Sequence, residues 1–311
     1  MTWDIKTGHV LDVLAALEPE SVQTCVTSPP YWGLRDYGDG GQDWPAVSYA
    51  PMPGLPPLDI SAQIGPLGLE ADPWAYVGHL VEVFRAVRRV LRADGTLWLN
   101  LGDSYSSVGS GGNTKTGFND RYFGTDNGPG KQGAAEGLVI RRRLEHGLKA
   151  KELCGIPWRV AYALQADGWY LRSDIIWHKP NPMPESVTDR PTKAHEYLFL
   201  LSKQPRYCYD ADAIKLEESG SNRRSVWTIT TRPYSAAHFA TFPPDLPERC
   251  IKAGSRPGDL VLDPFSGAGT TGMVARRLQR SYIGAEQSEA YAEMSRRRID
   301  GDAPLFNRGS A

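Results

Sequence analysis

LVLDPFSGAGTTGMVARR, residues 260–277, decides how the chain must fold. LVLD (260–263) is a short apolar run of strand type, and GTTGMVARRLQ has helical character. Between them lies a turn with glycines at 267, 269 and 272. Glycine lets a backbone turn tightly and approach a ligand closely at such a point. GAGTTG matches the GxGxxG pattern, and SYIGAE (281–286) is a second strand closed by Glu286, an acid placed to accept from ribose hydroxyls. No lysine follows the glycines, which disfavours a P-loop. A plain structural turn is the bland alternative, and the succession strand, turn, helix, strand, acid argues against it. Only one strand and one helix, SEAYAEMSRRRID, remain after the turn. The strands that complete the sheet must therefore come from earlier in the chain, so the order of elements is circularly permuted.

The earlier chain supplies them. DIKTGH (4–9) and VQTCVT (22–27) have strand character and flank an apolar helix, VLDVLAAL (10–17). Asp72-Pro73 opens a helix with an acid at the N-cap and proline at the first helical position. Its apolar residues Val77, Leu80, Val81, Phe84, Val87 and Leu91 keep helical spacing. Asp94-Gly95 is expected to end it, before the buried-type strand TLWLNL (96–101). A helix is expected over 157–167 and another over 244–253, with strands at 170–177 and 195–202. Alternating strands and helices indicate an α/β protein with a mostly parallel sheet. Residues 37–72, rich in Pro and Gly, and 104–151, rich in Gly, Ser and Asn, interrupt this pattern as insertions; 203–236 is irregular.

The 311 residues are ordinary in composition, 41% hydrophobic and 23% charged, with formal net charge −1. Nucleic-acid contact must then come from local basic patches. No apolar run approaches a membrane span, and the N-terminus lacks the basic-then-apolar pattern of a signal peptide. Cys25, Cys154, Cys208 and Cys250 are widely spaced, which disfavours a zinc site or a disulfide framework and suits a reducing cytoplasm.

The second informative stretch is TSPPYW, 27–32, at the end of the 22–27 strand. Two prolines make a stiff, donor-free turn with aromatics behind it. In this order, TSPPYW and DPFSGAGTT resemble the motifs of the beta-group amino-methylating DNA methyltransferases. The resemblance covers roughly residues 1–36, 73–103 and 153–300. It implies a Rossmann-like methyltransferase fold with a mostly parallel seven-stranded sheet in permuted order, and S-adenosyl-L-methionine as cofactor. Ser28, Pro29, Pro30 and Tyr31 match the family's catalytic tetrapeptide. Asp263, Pro264, Phe265, Ser266, Gly267, Ala268, Gly269, Thr270 and Thr271 match the cofactor loop, with Glu286 and Gln287 beyond it. HFATFPP (238–244) resembles a further cofactor element, so Phe239, Thr241 and Phe242 join the set. Residues 177–203 resemble the segment beside the target-base pocket. The family usually has Gly-Asp at the end of the first strand, facing the adenine of the cofactor; this chain has Gly8-His9, leaving His9 or nearby Asp12 for that contact.

The chemistry suits these residue types. An exocyclic amino group is a poor nucleophile because its lone pair is delocalised into the ring, whereas a sulfonium methyl is a good electrophile. A hydroxyl and a backbone carbonyl can accept the amino protons and localise the lone pair, and prolines can hold the Ser28 or Pro29 carbonyl towards the target. Tyr31 is expected to offer a stacking face to a base swung out of the duplex. The family's first motif residue is usually Ser in cytosine-N4 enzymes and Asp or Asn in adenine-N6 enzymes, so Ser28 points to cytosine N4, with adenine N6 as the alternative. A nicotinamide oxidoreductase, a silent DNA-binding module and an RNA methyltransferase are the rival classes.

Other residues divide between function and packing. Cys25 sits inside a strand and reads as a small hydrophobe. Trp177 and Tyr197 either flank the base or pack in the core, and Asp103 either lines the site or caps a loop. Arg141, Arg142, Arg143, Lys179, Arg223 and Arg224 are candidates for DNA contact, and no metal ligands stand out. The expected organisation is one domain over 1–303, with insertions 37–72 and 104–151, a short target-recognition segment 203–236 and a tail 304–311. Double-stranded DNA is the implied partner; a homodimer and a cognate restriction endonuclease stay open, and a membrane is not expected. A bacterial or phage origin follows from the resemblance alone.

Overall fold

The structure, a computed structural model, describes residues 2–33, 41–106, 147–232 and 242–302. One eight-stranded sheet draws on the whole chain. In order of sequence its strands are β1 (Trp3–Thr7), β2 (Val22–Thr27), β7 (Leu91–Leu101), β8 (Tyr170–His178), β9 (His195–Ser202), β10 (Val226–Thr228), β11 (Leu260–Asp263) and β12 (Ser281–Glu286). The spatial order is β1-β12-β11-β2-β7-β9-β8-β10. All neighbours are parallel except β9, which is antiparallel to both β7 and β8. The expected count of seven is thus exceeded by one. β10 is a three-residue edge strand in the segment expected to be irregular, and its exposed alternate positions leave little periodicity to read.

Among the described residues six helices cover the sheet: α1 (Val10–Ala15), α2 (Pro73–Val90), α3 (Ile156–Ala166), α4 (Asp245–Gly254), α5 (Thr270–Arg277) and α6 (Glu289–Gly301). The pleat assigns each side. Leu97, Leu99 and Leu101 of β7 and Phe199 and Leu201 of β9 pack with α1, α2 and α3. Trp98, Leu198 and Leu200 point the other way and pack with α4, α5 and α6. Strands buried on both faces read as near-continuous apolar runs for this reason. Asp72 caps α2 as expected, its carboxylate accepting from Trp74 N at 2.9 Å. Asp94-Gly95, however, does not end that helix. α2 stops at Val90, and Arg92 to Gly95 bulge from the ladder between the pairs Val22↔Leu91 and Thr24↔Thr96.

Within the insertion, residues 41–72 are more ordered than their composition suggests. β3 (Gln42–Trp44) pairs with β6 (Gln63–Gly65), and β4 (Val47–Tyr49) pairs with β5 (Leu58–Ile60), both antiparallel. This ribbon lies on α2, where Gly78 leaves room for Val47 and Tyr49; a Cβ there would come within 2.9 Å of Val47 Cγ1. Trp44 is buried, stacks on His79 at 4.6 Å and meets His9 edge-on at 4.9 Å. His79 in turn holds Glu70 at 2.9 Å in the interior. Three-residue strands with only one or two inward side chains are below what alternation can signal.

The topology explains where a ligand belongs. From β11 the chain crosses to β12 on one side, and from β2 it crosses to β7 on the other. The crevice at the carboxyl ends of β2 and β11 is therefore a topological switch point, the usual ligand site of an open α/β sheet. Those two strands are neighbours, with Leu262 opposite Cys25.

Candidate active site

The two motif turns leave the sheet side by side, and Asp263 ties them together. Its buried carboxylate accepts from Thr27 Oγ1 at 2.6 Å on β2, from Thr271 Oγ1 at 2.7 Å on α5 and from Phe265 N at 3.1 Å in the turn. Burial raises its pKa to about 6, against the lowering effect of those three hydrogen bonds.

Gly269 has φ +73°, and a Cβ there would run into Ser295 Oγ, so only glycine lets α6 close on the turn. Gly267 has φ +52°, but its missing Cβ faces open space, with nothing nearer than Phe265 O at 3.9 Å. Glu286 closes this space at the end of β12, its carboxylate accepting from Gly267 N at 2.7 Å and Ser288 N at 3.0 Å. Gly8, whose N–H donates to Glu286 O at 3.0 Å, also faces open space. Gln287 has a buried Oε1 with no hydrogen-bond partner. An open glycine cradle, an acid beside it and an orphaned acceptor fit a cofactor with ribose hydroxyls and amino groups, as S-adenosylmethionine has. Phe265 and Phe242 are half-buried at the two cores. Ser266 Oγ meets Tyr282 OH at 2.9 Å, and Thr270 Oγ1 accepts from Arg298 Nη1 at 2.9 Å, so these two side chains brace the turn. Phe239 and Thr241 lie outside the described residues.

His9 caps α1, its Nδ1 accepting from Leu11 N at 3.2 Å. Burial lowers its pKa against the pull of Asp12 and Asp43, which favours the neutral ring. With Nδ1 an acceptor, Nε2 carries the proton, and that atom is buried without a hydrogen-bond partner. The position thus presents a donor where the family usually places an acceptor.

At the second turn, Ser28 is half-buried and Pro29 buried. Tyr76 OH donates to Pro30 O at 2.8 Å, which occupies that carbonyl and leaves those of Ser28 and Pro29 as the candidates to face a substrate. Gly102 lets the backbone lie against the Tyr31 ring; a Cβ there would be 2.5 Å from Cε2. The expected stacking residue is above all a hydrogen-bond hub. Tyr31 OH lies 3.1 Å from Ser28 Oγ, 3.0 Å from Asn100 Oδ1 and 2.7 Å from Glu196 Oε2. Asn100 Nδ2 donates to Glu196 Oε2 at 3.1 Å and to Tyr197 O at 3.0 Å. The other Glu196 oxygen pairs with Lys179, whose ammonium also sits 4.3 Å from the centre of the Trp177 ring. Burial raises the Tyr31 pKa well above its ordinary value, with the Glu196 charge adding to it, so the phenol stays protonated.

Several expectations resolve on this geometry. Lys179, a candidate for DNA contact, is committed inward to Glu196. Asp103 takes the capping role: its carboxylate accepts from Ser104 N, Gly155 N and Ile156 N and so closes the start of α3. Trp177 is buried and donates to Ile229 O at 2.8 Å. Tyr197 is half-buried and stacks on Phe199 at 5.8 Å. Cys25 is buried and burial raises its pKa, as a small hydrophobe's would be. Arg223 donates to Ile214 O at 2.8 Å and Arg224 is exposed. Arg141, Arg142 and Arg143 lie outside the described residues. Asn100 and Glu196 were not singled out from the sequence. Their signal was available in the polar residues that interrupt the apolar strands TLWLNL and HEYLFLL, where a buried amide or acid needs a partner. Among the described residues no cluster of metal-ligating side chains occurs, and no helix is long and apolar enough to cross a membrane.

Known proteins share both sequence and architecture. The N6_N4_Mtase family, described as DNA methylase, matches residues 22–297. The type II methyltransferase M.Cfr9I of Citrobacter freundii is 45% identical over 298 residues, covering 95% of this chain and 87% of its own. M.SmaI of Serratia marcescens is 46% identical over 300 residues, covering 95% and 90%. Among solved structures, the PvuII DNA methyltransferase (cytosine-N4-specific) has a TM-score of 0.65 at 20% identity, covering 99% of this chain and 92% of that one. A DNA modification methylase of Thermus thermophilus, complexed with S-adenosyl-L-methionine, has a TM-score of 0.61 at 22% identity, covering 98% of each.

Proposed function

The chain belongs to the N6/N4 amino-methylating DNA methylase family, and from that premise we propose that it is a type II enzyme acting on the N4 amino group of a cytosine swung out of double-stranded DNA. The observation that carries the reading is the direct link between the two turns: Asp263 of the cofactor turn accepts from Thr27, the residue before Ser28, at 2.6 Å. That hydrogen bond fixes the distance between donor site and acceptor site, and proximity of this kind supplies much of the rate in a two-substrate transfer.

S-adenosylmethionine, when bound, supplies an electrophilic methyl on a sulfonium sulfur. Glu286 would accept from the ribose hydroxyls, the cradle at Gly267 would admit the close approach, and His9 Nε2 would donate to an acceptor of the adenine. Ser28 and the Ser28 or Pro29 carbonyl accept the amino protons of the target and localise its lone pair. Rigid prolines hold those acceptors without competing donors. Tyr31 bounds the base pocket beside them.

Cytosine rather than adenine rests on Ser28. Ser usually stands at this motif position in cytosine-N4 enzymes and Asp or Asn in adenine-N6 enzymes, and the choice rests on that resemblance, since both bases present a similar amino group. The test is chemical: unmethylated duplex DNA treated with protein and donor, digested to nucleosides and analysed by mass, should yield N4-methylcytosine. N6-methyladenine as the sole product overturns the choice of base and leaves the methyltransferase reading intact. No methylated nucleoside from a folded, donor-binding protein overturns both.

A further inference from the structure

We propose that Ser28, Tyr31 and Glu196 form a proton relay that carries the proton released by the methylated amino group inward to the Glu196 carboxylate, with Lys179 as its positioning counter-ion; this rests on the methyltransferase reading above. The direction of the relay follows from counting protons. The Tyr31 hydroxyl has one proton and three oxygen neighbours. Its shortest and only charged acceptor is Glu196 Oε2 at 2.7 Å, and a charged acceptor takes the stronger hydrogen bond. Asn100 Oδ1, 3.0 Å away and turned to Tyr31 because the amide nitrogen is spent on Glu196 Oε2 and Tyr197 O, is the neutral and weaker competitor for that proton. With its proton on Glu196, Tyr31 O accepts from Ser28 Oγ at 3.1 Å. The Ser28 proton therefore points away from the substrate, and its lone pairs are left to face the target amino group.

The same alignment carries the proton that the chemistry must dispose of. As the amino nitrogen gains the methyl group it becomes cationic, while the sulfonium becomes a neutral thioether. The nitrogen loses one proton to Ser28 Oγ, Ser28 passes its proton to Tyr31 O, and Tyr31 passes its own to Glu196 Oε2. The base and both hydroxyls end neutral, each hydroxyl with its proton count unchanged, and Glu196 ends as a carboxylic acid. It returns the proton to water after the product leaves.

Glu196 is suited to receive it. Its side chain is 16% exposed. Burial pushes its pKa up, but Lys179 by charge and hydrogen bond, with Tyr31 and Asn100, outweighs this and holds it below the ordinary value. Lys193, on the segment leading into β9, and His195, its first residue, also face it, with His178 and Lys179 beside them. The carboxylate is therefore ionised and empty at neutral pH. A protonated methylated amide-like nitrogen is far more acidic than any carboxylic acid, so the transfer runs downhill.

The test is single-turnover methyl transfer on donor-loaded enzyme, measured against pH in H2O and D2O. Glu196→Gln keeps shape and hydrogen-bond capacity but cannot take a proton; it should slow transfer by roughly 100-fold, the scale of a lost general base. Tyr31→Phe should slow it comparably, and the double variant should be no slower than either single one, because both cut one chain. Lys179→Met supplies the readout that a merely structural role would not move. With its counter-ion gone, Glu196 holds its proton to higher pH, so the acid limb of the rate profile should move up, and the solvent isotope effect should grow. A rate for Glu196→Gln within about twofold of the parent, an additive double variant, or an acid limb for Lys179→Met that stays in place each overturn the relay. Product formation by the parent enzyme separates that failure from failure of the methyltransferase reading, and donor affinity equal to the parent's confirms that each variant is folded.

Discussion

The stability of Asp263→Asn relative to the parent should rise by about 2–3 kcal/mol as the pH is raised from 4 to 8. The buried carboxylate has a pKa of about 6 against an ordinary 3.8, because burial disfavours its charge. A raised carboxyl pKa means that the folded state binds the proton more tightly than the unfolded one between these two values. Stability therefore falls as pH rises through that window. At 1.36 kcal/mol per pKa unit, the charge costs about 3 kcal/mol at pH 8. Asparagine mimics the protonated form in charge, but its amide carries two N–H groups where the acid carries one O–H, and the second adds a pH-independent cost of about 1–3 kcal/mol. Its Oδ1 can accept from Thr27 and Phe265 N as Asp263 Oδ1 does. Its amide then faces Thr271 Oγ1, and Thr271 can turn its own proton to Val26 O, 3.4 Å away.

Urea unfolding of parent and variant at half-unit steps from pH 4 to pH 8 checks this. The difference in stability, variant minus parent, should be smallest at the acid end, grow with a slope of at most about 1.4 kcal/mol per pH unit, and level off about 3 kcal/mol above its acid limit. A constant difference across the range refutes the reasoning, whatever its sign, because it would mean that no titrating charge was removed. The same variant should transfer methyl groups more slowly, since a neutral amide oxygen holds Thr27 less tightly than a carboxylate does and so loosens the link between the two turns. A charge that stability would do without, placed where the two motifs meet, is the stability–activity conflict expected at a functional site.

Glu286→Ala should weaken S-adenosylmethionine binding by roughly 1–3 kcal/mol in calorimetry, the cost of leaving hydrogen bonds unmade, and unchanged affinity in a folded protein removes it from the ribose site. Ser28→Ala should abolish turnover while cofactor affinity stays as in the parent; loss of cofactor binding without unfolding would reverse the division of labour between the two turns. Joint charge reversal of Arg141, Arg142 and Arg143 should weaken DNA binding and reduce the slope of log affinity against log salt by about 0.9 for each phosphate no longer neutralised, and an unchanged slope returns the tract to a solvated surface. Trp44→Ala should destabilise by about 3–5 kcal/mol in urea unfolding, because a buried indole between His9 and His79 is deleted; a loss below about 1 kcal/mol would mean that the ribbon contributes little to folding.

What the sequence disclosed follows from how local each signal is. The glycine turn could be placed because Gly267 and Gly269 take left-handed backbone angles that other residues avoid, and the cap at Asp72 because its carboxylate meets an amide two residues away. The permutation was legible by subtraction: one strand after the turn cannot complete a sheet. The ribbon at 42–65 and the edge strand Val226–Thr228 were not, since three residues with one buried side chain carry no period. The end of α2 was misplaced because Asp94-Gly95 is turn chemistry in either setting, and only pairing with β2 shows that it bulges from a strand.

The catalytic network divides along the same line. Ser-Pro-Pro-Tyr is contiguous, so its stiffness could be argued from four residues. Tyr31, Asn100 and Glu196 are separated by 69 and 96 positions in the chain, and nothing in their neighbours says that they meet. What brings them together is the sheet: β2 lies beside β7 and β7 beside β9, so the end of β2, the end of β7 and the start of the antiparallel β9 face one crevice. The reversal of β9 is decisive. A parallel strand there would bring its carboxyl end to the crevice, and Glu196, at the second position of β9, would lie at the opposite edge of the sheet. The antiparallel hairpin is thus what delivers a charged acceptor to the hydroxyl of Tyr31, which makes the strand order itself part of the site.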